Sequence, residues 1–152
     1  MQTRAFTLIE LIFTIVIIGV LAVVAVPKFA NLADNAKITA ELSTASAVQT
    51  NIEAIHTEWI TNRCTDWKWG VANQPYSQLN DNGYPKTLGS SDTTPLDYIL
   101  KDVQGWTRNG TQYRGPASSA ISARTPDVAG KPDGNDYWDY NATSGEFRLV
   151  DN

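Results

Sequence analysis

The chain has few of the residues that staple small domains or carry out chemistry. Among its 152 residues there is one cysteine, Cys64, so no intrachain disulfide can form. Its one histidine, His56, falls among polar positions of a presumed helix and is expected at the surface. His56 stands eight residues from Cys64 with no third group to orient the pair, which argues against nucleophilic catalysis. No GxSxG, HExxH, P-loop or dinucleotide-binding pattern is present, so no enzyme is expected. Basic runs are also missing. Twelve Lys and Arg stand against 16 Asp and Glu, for a formal charge of -4, and a nucleic-acid partner has no electrostatic footprint. No internal repeat is visible.

Apolar surface is concentrated at one end. Phe6 to Val26 reads FTLIELIFTIVIIGVLAVVAV, in which only Thr7, Glu10 and Thr14 are polar. At about 1.5 Å per residue, a helix of that length spans roughly the 30 Å hydrocarbon core of a bilayer. Glu10 is its one charge. A carboxylate at that depth is costly unless it is paired or snorkels to the interface. The run supplies no cation, and the one basic residue nearby, Arg4, precedes it. Composition alone allows a secretory signal cut after Ala25, or a plain uncleaved anchor.

The residues around the start of the run carry more information. Ala5-Phe6-Thr7-Leu8-Ile9-Glu10-Leu11-Ile12 resembles the class III leader junction of type IV pilins and type II secretion pseudopilins. The resemblance implies cleavage by a prepilin peptidase between Ala5 and Phe6, methylation of the new N-terminus at Phe6, and retention of the apolar helix. Glu10 matches the family's glutamate at the fifth mature position. Gly19 and Pro27 fall where many members carry a helix-loosening glycine and proline. Ala5 departs from the glycine that usually precedes the cut. Cleavage would also create a positive α-amino group, which Glu10 of a neighbouring subunit could neutralise in a helical homopolymer. That pairing would set the axial register.

Beyond the run, Ile38, Leu42, Ala45, Val48, Ile52, Ile55 and Trp59 recur every three or four residues. They form one apolar stripe of a continuing helix, with Lys37, Glu41, Gln49, Glu53 and Glu58 between them. Pro27 lacks a backbone donor and predicts a kink or loosening, with Gly19 a second weak point. Residues 70–95 are rich in Gly and Pro and read as a connecting loop, followed by a short helix start over Pro95–Leu100. Candidate strands lie at Trp106–Thr107, Gln112–Arg114 and Ala120–Arg124. Tyr137–Tyr140 and Glu146–Val150, joined by a turn over 141–145, read as a β-hairpin. All five tryptophans follow the apolar run, so the head is expected to pack by aromatic burial.

The expected fold is α+β and pilin-like. A long N-terminal helix, half membrane-spanning and half amphipathic, would carry a small C-terminal antiparallel sheet. Residues 1–5 would be a removed leader, 6–26 the transmembrane and filament-core helix, 27–63 its amphipathic continuation, and 64–152 the globular head.

Two candidate sites lie in that head. Asp127, Asp133, Asn135, Asp136 and Asp139 crowd one irregular loop with the hard oxygens that calcium takes. The family likeness adds that major pseudopilins bind calcium in their C-terminal loops. Asp127, Asp133 and Asp136 are the named ligands, although the spacing is not that of an EF-hand and acidic turn residues are ordinarily just solvated. No other cofactor is expected. Asn109-Gly110-Thr111 and Asn141-Ala142-Thr143 are both acceptor tripeptides for N-glycosylation. With Asp139 two residues ahead, Asn141 resembles the extended acceptor of bacterial oligosaccharyltransferases; the plainer reading is that it makes a turn.

The resemblance implies a structural subunit of a type IV pilus-like filament, serving adhesion, motility or DNA uptake and polymerising with itself. Its other partners would be the prepilin peptidase and an inner-membrane assembly platform. It would lie in the inner membrane before assembly and in an extracellular pilus or periplasmic pseudopilus afterwards. One alternative is a major pseudopilin of a type II secretion system. The other is a membrane-tethered or tip-located carbohydrate-binding module, in which Trp67, Trp69, Trp106 and Trp138 would touch sugar; their exposure separates that reading from core packing. Many type IV pilins close a C-terminal loop with a disulfide, and this chain, with Cys64 alone, cannot.

Overall fold

A computed structural model describes residues 6–62, 68–124 and 127–152. One helix, α1, runs Leu8–Asn62 without a break, through both Gly19 and Pro27. Thr7 caps its start: the Thr7 carbonyl accepts the Glu10 and Leu11 N–H groups, and Thr7 Oγ1 lies 3.4 Å from Glu10 N. By contacts the chain divides into two compact units, Met1–Ala36 and Lys37–Asn152. The described part of the first is helix after Phe6 and Thr7, and its large apolar side chains from Phe6 to Leu32 are exposed. It contains an 18-residue stretch of mean hydropathy 2.9, long and apolar enough to cross a membrane.

The second unit is built on the later turns of α1. Ile38, Ala45, Val48, Ile52 and Ile55 of the expected stripe are buried, with Leu42 and Trp59 packed at its margins. Burying each such aliphatic side chain contributes about 1.5–3 kcal/mol. Against the stripe lies a four-stranded antiparallel sheet in the order β3 (Thr107–Asn109), β4 (Gln112–Arg114), β5 (Tyr137–Asn141), β6 (Glu146–Val150). Before it, β1 (Lys68–Trp69) and β2 (Gln74–Pro75) form a two-stranded ribbon within the expected loop region.

Alternation decides the faces of the sheet. Tyr113, Trp138, Tyr140 and Phe147 turn inward, and register places Tyr113 beside Trp138 and Tyr140 beside Phe147. Trp138 stacks on Phe147 at 5.4 Å between centroids, with Tyr113 edge-on to Phe147 at 5.5 Å. Side-chain bonds then tie the helix to the sheet and to the turn at residues 95–100: Phe147 N donates to Gln49 Oε1 at 2.8 Å, and Asn51 Nδ2 donates to the Ile99 carbonyl at 3.2 Å. The β5–β6 hairpin closes through Asn141, whose Oδ1 accepts from Thr143 N, and through Gly145, whose φ of +73° suits a residue without Cβ.

Three local expectations are corrected. Ala120–Arg124 is not a strand: residues 115–121 coil into successive turns, with Ala120 and Ile121 N–H groups donating to the Ala117 carbonyl. Ala117 and Ile121 plug a small apolar cluster on Ile38, a contact no local pattern announces. Pro95–Leu100 makes a single turn closed at the Leu96 carbonyl rather than a helix. His56 is half-buried instead of superficial, stacked on Tyr84 at 4.2 Å and near Trp59 at 6.0 Å.

Candidate functional site

Of the residues expected to matter at the N-terminus, Phe6, Glu10 and Gly19 are described and lie on an exposed apolar surface. Ala5, and with it the expected cleavage junction, lies outside the described residues; Pro27 sits within α1. Glu10 occupies the first helical turn, where a carboxylate meets the positive end of the helix dipole. Thr7, three residues ahead, has the spacing of a capping box with it, and the contact present is from the Glu10 backbone N–H to Thr7 Oγ1. No ion pair to Glu10 occurs among the described residues. The next described cation along the helix is Lys28, roughly 27 Å away at the α-helical rise. None of the described residues supplies a charge partner for Glu10.

The head contains a second carboxylate that periodicity left among the polar positions. Glu41 is fully buried. Its Oε2 accepts from Ala117 N at 2.6 Å and Ser118 N at 3.0 Å, while Oε1 accepts from Trp138 Nε1 at 2.8 Å. Three N–H donors therefore solvate the carboxylate and join helix, loop and sheet. Gly115 gives it room, since a Cβ there would lie 2.6 Å from the Glu41 carboxyl. Glu41 falls three residues after Ile38 and four before Ala45, on the stripe itself, so its spacing was the available sign.

The acidic loop resolves into two separate arrangements. Asp133, one of the three expected calcium ligands, is buried and turned to Arg124: its Oδ2 accepts from Arg124 N at 2.9 Å and Nε at 3.1 Å. Asp127 and Asp136 are brought together instead with Asp151, each offering an oxygen within 4.8 Å of the others. Asp136 is partly committed to the backbone, accepting from Asp133 N and Asn152 N. A hydrogen bond to Asp151 raises the Asp127 carboxyl above its ordinary pKa, and the same bond lowers that of Asp151. The three oxygens of this trio are half or fewer of the six to eight that calcium takes.

The tryptophans proposed as a sugar-binding face are placed otherwise. Trp69, Trp106 and Trp138 are buried in the core, and Trp67 lies outside the described residues, as does Cys64. Asn141 is exposed at the end of β5, beside an open groove of about 720 Å³ that Lys86, Thr87, Arg108, Thr111 and Asp139 help to line. Two tyrosines back this region. Tyr140 OH donates to the Pro85 carbonyl at 2.7 Å, and burial pushes the phenols of Tyr140 and Tyr113 up in pKa.

Comparison with known proteins bears on the N-terminal end. Residues 1–26 match a family model described as the prokaryotic N-terminal methylation motif. Over 49 residues the chain is 49% identical to the type IV narrow pilus major component PilA5 of Thermus thermophilus. That alignment takes in 32% of this chain and 42% of PilA5, so the chain spans less than half of that relative's length. No solved structure matches.

Proposed function

For a chain whose methylation motif and similarity to PilA5 support a type IV pilin-like family and a pilin-like structural subunit, we propose assembly into a filament through the N-terminal helix. The observation that carries this reading is the run of exposed apolar side chains from Phe6 to Leu32, directly after the junction of the motif. A bare apolar helix suits lipid before assembly and copies of itself afterwards. Cleavage falls between Ala5 and Phe6 at a prepilin peptidase, Phe6 is methylated, and an inner-membrane platform extracts the helix into a bundle. Glu10 of one subunit then meets the new α-amino group of another, and each charge neutralises the other where neither is hydrated. The filament is extracellular and the role structural rather than catalytic. Burial of the described head tryptophans favours a packing role for them over a sugar-binding face.

Intact mass and N-terminal sequence of material sheared from cells test the reading. A chain beginning at methylated Phe6 in the sheared fraction is expected. The same terminus found only in membranes points to a pseudopilin. A chain retaining Met1 or beginning at Val26 overturns filament assembly. Glu10→Gln should leave membrane insertion and the head intact while abolishing sheared filaments, because it removes the charge that seeks a partner.

A further inference from the structure

We propose that Asn141 is the acceptor of an N-linked glycan whose first sugars lie in the groove beside it. The acceptor tripeptide Asn141-Ala142-Thr143 sits on the β5–β6 hairpin, and the conformation of that hairpin sets out the groups a transferase would need. Asn141 Oδ1 is occupied, accepting from Thr143 N at 2.9 Å and Ser144 N at 3.4 Å. Its Nδ2 donates to nothing among the described residues, and the Thr143 hydroxyl is likewise unengaged there. The nucleophilic nitrogen is thus held in place by its own carbonyl and left open.

Asp139 adds a second element. Side chains two residues apart on a strand share a face, so Asp139 and Asn141 both point away from the core while Tyr140 between them is buried. An enzyme surface that reads the acid also meets the amide. Asn109-Gly110-Thr111 serves as an internal comparison: it too is exposed on a hairpin, yet Thr107 stands where the acid would be.

The groove supplies the space. At about 720 Å³ it lies within the range of roughly 300–1,000 Å³ usual for small-molecule sites, and its lining mixes apolar surface from Tyr113, Tyr140 and Ala142 with hydroxyls from Thr87 and Thr111, the Arg108 cation, bonded to Asp92, and the Asp139 carboxylate. Such donors and acceptors suit the hydroxyls of a sugar, and Asn141 stands on the rim.

The transfer balances without any redox step. Asn141 Nδ2 attacks the anomeric carbon of a lipid-pyrophosphate-linked oligosaccharide. An N–C bond forms, the C–O bond to pyrophosphate breaks with its electron pair leaving on the lipid pyrophosphate, and one amide proton passes to a base of the transferase.

The inference rests on the filament reading, since that places the head outside the cytoplasm where such a donor is used. Peptide mapping by mass spectrometry of the full chain from its native cells tests it. Added glycan mass is expected on the peptide containing Asn141 and none on that containing Asn109. Thr143→Val should abolish the added mass while keeping the turn, which uses only backbone groups of Thr143, its N–H on Asn141 and its carbonyl toward Asn82; Asp139→Asn should lower it. Seated sugars should slow amide exchange around Thr87 and Thr111 relative to the Thr143→Val protein; equal exchange refutes the groove as their seat. A bare Asn141 in a chain that begins at methylated Phe6 refutes the glycan and leaves the filament intact. A bare Asn141 in a chain retaining Met1 refutes both.

Discussion

Replacing Glu41 tests how the head is held together. Glu41→Ala leaves the N–H groups of Ala117, Ser118 and Trp138 without their acceptor in a buried site. An orphaned buried donor costs about 1–3 kcal/mol, so three amount to roughly 3–9 kcal/mol against a total domain stability of about 5–15 kcal/mol. Removing the carboxylate also removes its own desolvation penalty, which moves the expectation toward the lower end, about 3–5 kcal/mol. Glu41→Gln is subtler. Its one oxygen can face Ala117 and Ser118, but the amide NH2 then abuts Trp138 Nε1–H, donor against donor. About 2–3 kcal/mol is expected, one orphaned donor plus the loss of charge assistance. Trp138→Phe deletes that opposing donor, so the double variant should be more stable than the sum of the two single changes predicts, by about 1–2 kcal/mol. The assay is urea unfolding of the full chain in mild detergent, followed by near-UV circular dichroism. With a slope of about 1–3 kcal/mol per molar urea, a 3 kcal/mol loss lowers the midpoint by roughly 1–3 M. A Glu41→Gln midpoint equal to that of the unaltered protein, or strict additivity with Trp138→Phe, would refute the reasoning.

Two further changes probe the head elsewhere. Gly145→Ala places a Cβ 2.2 Å from the Tyr84 ring at a φ of +73°, so it should destabilise the hairpin by about 1–3 kcal/mol, read as a lowered melting temperature. Asp127 and Asp151 should titrate by carboxyl NMR in one step above and one below the ordinary value of 3.8, as a coupled pair. The raised group favours the fold below its unfolded pKa and loses that contribution as pH rises through its folded value. The lowered group contributes above 3.8 and loses its share as pH falls through its folded value. Asp127→Asn keeps a donor toward Asp151 without a titrating proton and should erase the upper step; persistence of two steps would refute the coupling.

The parts of this molecule that were legible from sequence are those set by period and by local chemistry. The apolar run is legible as an unbroken stretch, while the stripe from Ile38 to Trp59 and the hairpin of β5 and β6 repeat a pattern every three to four or every two residues, which the backbone geometry converts directly into one face. The likeness of residues 5–12 to a prepilin junction is equally local, and the methylation motif falls on it.

What only the tertiary structure decided concerns groups whose partners lie far along the chain. Glu41 reads as one more charge on a helix, and becomes the centre of the head because donors at Ala117, Ser118 and Trp138 are brought to it. Asp133 looks like a fellow of Asp127 and Asp136, but Arg124 takes it, while Asp151 arrives from the end of the chain beyond β6 to replace it. Residues 120–124 form no strand: Ala120 and Ile121 close the turn that Glu41 anchors, and Arg124 is held by Asp133. In each case the side chain's chemistry was visible from the start. Its state was not, because burial and hydrogen-bond partners are properties of the neighbours that folding brings into contact, and no local repeat encodes them.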